Sequence, residues 1–255
     1  MSVTVMVGVD EGHLPELEIA WESWRRNRKA LLKEKILFVC DSAGGSWKEW
    51  SRKLAFCSNK NITGVVWNGD HLREKGADQR EVMLTGLVWG ASRIDTDYYI
   101  KIDTDTIATP LTGNESRRRY GWLPGEWFDD DLAFTSHRWG YTRPSSFIRA
   151  LDEWAEGVPE LRENPCPVLN LPDNPEARVS HPRIQSWFLI GTTRFARVVW
   201  EMVLKNGGRM PCPSQDTLLW YVAERMDWPY KRSNLKKRGW DHGRRALRRF
   251  QDGME

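Results

Sequence analysis

Two carboxylates one residue apart, Asp103 and Asp105, close the run Tyr98-Tyr99-Ile100-Lys101-Ile102-Asp103-Thr104-Asp105-Thr106. In extended backbone, residues i and i+2 point the same way, so both acids leave the end of a buried strand on a common side. Carboxylates held that close repel each other unless a cation lies between them. Hard oxygen donors suit Mg²⁺ or Mn²⁺, ions that commonly share their coordination with a substrate phosphate. The spacing predicts a metal–diphosphate site. Without a ligand the same triplet is only a solvated strand end. Asp95-Thr96-Asp97, which precedes the apolar run, reads as a turn.

The elements that must hold these acids lie upstream. Val3–Val9, residues 36–40 and Ile62–Trp67 read as buried strands. Residues 14–32 carry helical spacing, with Leu14, Leu17, Ile19, Ala20 and Trp24 as the apolar side. A second helix over residues 78–92 feeds the strand that ends at Asp103. Strands alternating with helices predict an α/β fold: a mostly parallel, Rossmann-like central sheet flanked by helices. Ligands of such sheets gather beyond the carboxyl ends of the strands. Asp10, Asp41 and Asp103 each follow a strand end and can converge on one crevice.

The second half is less regular. Residues 131–136 and 184–190 read as strands, and Asp129-Asp130-Asp131 as a loop before the first of them. Ser145–Glu156, Thr193–Lys205 and residues 214–226 read as helices. Residues 160–182, rich in Pro and Asn, read as a long loop. A chain of 255 residues with no repeat or convincing linker predicts a single compact domain.

The net charge of +3 sets up no whole-molecule field demanding a polyanion. Basic residues nevertheless crowd the last segment, among them Lys231, Arg232, Lys236, Lys237, Arg238, Arg244, Arg245, Arg248 and Arg249. That tail can be a nucleic-acid footprint or merely soluble. Of the 15 tryptophans, Trp122, Trp127, Trp139, Trp187 and Trp240 lie near Gly, Pro or charge, where an amphipathic ring serves either core packing or stacking on a sugar or base. Cys40 sits in an apolar strand and Cys57 in a helical stretch. Cys166 and Cys212 sit in Pro-Cys-Pro triplets that a disulfide could join, with reduced thiols the default. No apolar run reaches membrane length, and a soluble protein of the cytoplasm is the expectation.

The strand ending in Asp103-Thr104-Asp105, preceded by the helix Gln79-Arg80-Glu81-Val82-Met83-Leu84-Thr85-Gly86-Leu87, resembles the nucleotide-sugar half of GT-A fold glycosyltransferases, whose DxD motif binds a divalent metal bridging the donor's diphosphate. The resemblance runs continuously over residues 2–110, then as isolated landmarks. It implies a nucleotide-sugar half over 1–110 and a less regular acceptor-binding half over 111–255, ending in the basic tail. It makes Asp105 the direct metal ligand, with Asp103 on metal or ribose. It puts Asp10 and Asp41 near base and ribose, and Arg80 and Thr104 on the nucleotide sugar. Residues 184–190 resemble the strand lining the acceptor side; Trp187 within it, Gln215 at the following helix start and Trp139 as a stacking ring are the acceptor-binding candidates. Ser214-Gln215-Asp216 resembles the acidic helix start that follows that strand. The dipole there favours negative charge, so Asp216 suits a general base or a partner for a sugar hydroxyl. Ser214 or Asp216 would equally serve as a simple helix cap. His242 resembles the C-terminal histidine that completes the metal shell, and the Arg and Lys residues around it could close over the leaving nucleoside diphosphate.

The expected activity is transfer of a sugar from a nucleoside-diphosphate donor to an acceptor hydroxyl, on a glycan or, as a minority version, a modified nucleic-acid base, with Mn²⁺ or Mg²⁺ as cofactor. Two alternatives stay open. Asp103-Thr104-Asp105-Thr106 also fits the Asp-x-Asp-x-Thr of haloacid-dehalogenase-type phosphatases, although that motif normally ends the first strand of its domain. A non-catalytic carbohydrate- or nucleic-acid-binding module would use the tryptophans and the tail, but gives no reason for paired acids at a strand end.

Overall fold

The computed structural model describes residues 2–110, 128–138, 141–168, 170–181, 184–233 and 239–253. Strands and helices alternate through β1 (Val3–Val9), α1 (Leu14–Asn27), β2 (Lys35–Asp41), α2 (Trp47–Lys53), β3 (Ile62–Trp67), α3 (Asp70–Arg73), α4 (Gln79–Ser92) and β4 (Tyr98–Ile102). There follow β5 (Thr106–Ala108), β6 (Phe134–Arg138), β7 (Tyr141–Pro144), α5 (Ser145–Glu156), α6 (Pro159–Arg162), β8 (Arg178–His181) and β9 (Ile184–Thr192). α7 (Thr193–Lys205), α8 (Gln215–Arg225), β10 (Lys231–Ser233), β11 (Trp240–His242) and α9 (Arg244–Gln251) complete the order.

The central sheet runs β10-β6-β9-β4-β1-β2-β3. β1, β2, β3 and β4 pair in parallel, and β9 is antiparallel to both β4 and β6. The fold is the expected α/β architecture with a mostly parallel sheet.

The two-residue strand period divides the core between the faces. Met6, Leu37, Val39, Tyr99 and Leu189 point to the face covered by residues of α4, α5, α7 and α8, such as Val82, Ile148, Phe195 and Leu219. Val5, Val7, Phe38, Ile100, Ile102 and Phe188 point to the other face, where Leu17, Trp24, Trp50, Leu247 and Phe250 pack.

Several expectations are corrected. α1 stops at Asn27 rather than residue 32, because Arg28 turns inward: it is buried, donates to the Gly239 carbonyl at 2.7 Å and lies over the Trp240 ring. Cys57 lies in a bend past α2, not in a helix. The 160–182 stretch includes β8, which pairs with β7. Residues 244–251 of the basic tail form α9, whose Ala246, Leu247 and Phe250 are buried while Arg244, Arg245 and Arg248 face outward. All four cysteines are free thiols. Among the described residues no helix is long and apolar enough to cross a membrane.

Candidate active site

A cleft of about 770 Å³ opens at the carboxyl ends of β1 and β4. Asp103, Thr104 and Asp105 line it, as do Asp10, Arg80, Trp187, Gln215, Asp216 and His242. Asp103 is fixed by its N–H, which donates to the Trp187 carbonyl at 2.8 Å.

His242 comes from the other end of the chain by strand pairing. β11 lies antiparallel on β5 with His242 opposite Thr106, and the Gly243 N–H donates to the Asp105 carbonyl at 3.1 Å. Gly243 turns the chain into α9 at φ 90°, a left-handed value that a side chain would strain. The His242 Nε2 stands 3.5 Å from Asp105 Oδ1. One ligand atom from each of Asp103, Asp105 and His242 lies within 4.8 Å of the others. Two carboxylates and an imidazole fit a hard-to-borderline divalent ion such as Mn²⁺ or Mg²⁺. Burial pushes the Asp105 carboxyl up; His242 opposes this, while Asp103 and Glu16 add to it. A cation among these groups relieves that repulsion.

Asp216 occupies the first turn of α8. Ser214 is the cap, its Oγ accepting from the Thr217 N–H at 3.4 Å. Asp216 bonds across to the sheet instead: its Oδ1 accepts from the Ser186 N–H at 3.0 Å. Neighbouring Gln215 is buried, and its Oε1 has no hydrogen-bond partner among the described residues.

Trp187 lines the cleft but is buried, its ring stacked on the His242 imidazole at 5.2 Å and 19°. Its indole N–H donates to Gln185 Oε1 at 2.7 Å. This face of the ring supports a candidate metal ligand rather than standing open to a sugar. Trp240 is likewise core. Trp122, Trp127 and Trp139 lie outside the described residues.

Asp10 accepts from His13 Nδ1 at 2.7 Å. That bond holds the Asp10 carboxyl below its usual value and the imidazole above its own. Asp41 is not among the cleft-lining residues. It is buried, accepting from Arg73 Nη2 at 2.6 and 2.8 Å, from Gln79 Nε2 at 2.5 Å and from the Ala43 N–H at 3.2 Å. Its carboxylate ties the β2 turn to the start of α4, the helix that carries Arg80.

The cleft also holds Arg244 of the basic tail, and Lys101, His13, Glu16, Arg143 and Ser186, to which the motif reading gave no role. Lys101 left a signal: a lysine inside an otherwise apolar strand must find a buried partner. His13 gave none beyond proximity to Asp10.

No protein-family model matches the chain, and no curated protein matches it in sequence. Solved structures do. Core-mannan synthase A from Aspergillus fumigatus, in a Mn/GDP form, is 12% identical over 95% of this chain and 74% of its own, with a TM-score of 0.57. The galactosyltransferase LgtC, in complex with donor and acceptor sugar analogues, is 13% identical over 98% of this chain and 94% of its own, at 0.52. A glycosyltransferase involved in glycosylation of the major capsid of PBCV-1 is 9% identical over 99% of this chain and 100% of its own, at 0.51. At such identities the likeness is one of fold, and that fold is the GT-A fold of glycosyltransferases.

Proposed function

We propose that this chain is a metal-dependent glycosyltransferase that moves a sugar from a nucleoside-diphosphate donor to an acceptor hydroxyl. The observation that carries this reading is the convergence of Asp103, Asp105 and His242 in a cleft at the carboxyl end of a GT-A sheet. Asp103, Asp105 and His242 would hold Mn²⁺ or Mg²⁺. When bound, the ion supplies positive charge to the departing diphosphate.

The remaining roles belong to the chain's own side chains. Arg80, in the first turn of α4, and Arg244, just past His242, line the same cleft and add charge for the diphosphate. Asp10 and Thr104 contact the nucleotide sugar, and Asp41 acts on it indirectly by holding the start of α4. Asp216 takes the acceptor: with one oxygen bonded to the Ser186 N–H, its carboxylate is oriented to accept a hydrogen bond from the hydroxyl or to remove its proton. Gln215, with its unpartnered Oε1, accepts from a second sugar hydroxyl. Of the outward arginines of α9, Arg244 alone is among the cleft-lining residues.

The test is incubation with Mn²⁺ and a panel of nucleotide sugars, with release of UDP, GDP or TDP as the readout. Metal-dependent release from at least one donor, abolished by EDTA and restored by Mn²⁺, is the expected result. Turnover confined to phosphate monoesters would move the assignment to a phosphatase.

A further inference from the structure

Lys101 lies in β4 between β1 and β9, and its side chain is 3% exposed. A charge in that position has to be compensated. Two partners do so: the ammonium pairs with Asp103 Oδ1 and donates to the Ser186 carbonyl at 2.6 Å. The strand period puts residues 101 and 103 on the same face, so this ion pair is written into the strand itself. Asp103 therefore reaches the candidate metal position already paired.

The cleft as a whole has the same balance. Its lining includes five carboxylates, Asp10, Glu16, Asp103, Asp105 and Asp216, against four basic side chains, Arg80, Lys101, Arg143 and Arg244. A nearly neutral cleft with an ammonium one residue from the paired acids attracts a lone dication weakly. A diphosphate arriving with the ion changes that, because its own negative charge offsets the ammonium.

We propose that Lys101 is a resident counter-cation: it positions Asp103 and keeps the affinity of the cleft for a lone divalent ion low, so that the ion and a nucleoside diphosphate bind as a coupled pair. This deepens the proposed function and rests on it. Coupling is reciprocal, so the nucleotide tightens the ion by the factor by which the ion tightens the nucleotide. Lys101 is a positioning residue; it need not touch the substrate.

The experiment is Mn²⁺ titration followed by the electron paramagnetic resonance signal of the free ion, with and without UDP or GDP, the Mn²⁺ taken up by each nucleotide alone being measured without protein and subtracted. The wild-type chain binds Mn²⁺ at least about tenfold more tightly with a nucleotide present. Lys101→Met keeps the aliphatic stem and removes the charge; it binds Mn²⁺ alone about tenfold more tightly than wild type and loses most of the coupling. Lys101→Arg keeps the charge and restores both wild-type values. Wild-type affinity or weaker in a cooperatively folding Lys101→Met overturns the proposal. So does a wild-type chain that binds Mn²⁺ equally with and without either nucleotide, a measurement that decides the matter even if Lys101→Met does not fold. Asp105→Asn separates the two levels. If it binds Mn²⁺ as well as wild type does, the ion is not held by the acids and histidine, and the functional reading itself fails.

Discussion

Asp103 and Asp105 enter the cleft from the end of β4, a strand that pairs with β1 and directly follows α4 in sequence. Asp216 and His242 arrive differently. Asp216 sits at a helix start pinned to β9, the strand that runs against its neighbours, and His242 on a three-residue strand paired with β5. One wall of the site is thus assembled by local alternation of strand and helix. The other is assembled by pairings between segments distant in sequence, Asp216 with Ser186 and β11 with β5. Under the proposed function the first wall offers two of the three candidate metal ligands, and the second adds His242. In the same reading the second wall also brings Asp216 to the acceptor.

Substitutions on the two walls should therefore fail differently. Asp105→Asn is expected to lower both transfer and hydrolysis of the donor by about 10³-fold, since both need the departing diphosphate stabilised. Asp216→Asn should lower transfer by about 10²-fold while leaving donor hydrolysis near wild type, because water needs no positioned acceptor. Measuring both reactions for both variants tests the division. Equal loss of hydrolysis in the two would show that Asp216 serves the donor as well, and the contrast between the walls would disappear.

The same contrast explains what could be read from the chain in advance. β1, β2, β3 and β4 are short apolar runs bounded by turns, and Asp103-Thr104-Asp105 ends the last of them, so position and chemistry are both local there. α9 was hidden because its sequence, Arg-Arg-Ala-Leu-Arg-Arg-Phe-Gln, is dominated by charge; only Ala246, Leu247 and Phe250 make its buried stripe. β11 and β5 are three residues each, too short for a periodic signal, and exist because they pair with each other. Trp187 illustrates a limit of residue type. An indole near a site reads as a sugar platform, whereas its surroundings make it a backing for His242.

The junction of the two regions is the β4–β9 ladder, where Gly191 lies opposite Tyr99. A Cβ at residue 191 would come within 2.4 Å of the Tyr99 ring. Gly191→Ala should destabilise the protein by about 1–3 kcal/mol by overpacking, seen as a lower urea midpoint. An unchanged midpoint would mean that β9 has room to shift on β4.

Trp187→Leu tests whether the second wall supports the first. Losing the stacked ring frees the His242 imidazole and should weaken Mn²⁺ binding about tenfold, with Trp187→Phe recovering most of it. A variant whose metal affinity is intact but whose acceptor KM has risen would return Trp187 to the acceptor.

The smallest effect belongs to the first wall and reports on both. His13 is raised chiefly by its hydrogen bond to Asp10, with smaller contributions from the charges of Glu16 and Asp105. A histidine raised in the folded state stabilises fully below its unfolded value of about 6.5 and loses that contribution as pH rises through the folded value. Asp10, lowered, contributes above its unfolded value and loses the contribution as pH falls through the folded one. Both act together on the acid side of neutrality. With the His13 side chain 54% exposed, solvent screening limits the stability at stake to about 0.5 kcal/mol or less. The titration itself is the sharper measurement. By nuclear magnetic resonance, His13 should titrate above 6.5 in the wild type and fall back toward it in Asp10→Asn. Saturating Mg²⁺ should lower it slightly in the wild type, because an ion on Asp105 cancels a charge that helps hold the imidazole protonated. The Asp105→Asn chain should start from that lower value and ignore Mg²⁺. A response to Mg²⁺ that persists in Asp105→Asn would locate the ion against Asp10 and Glu16 instead, and the first wall alone would then hold the metal without His242.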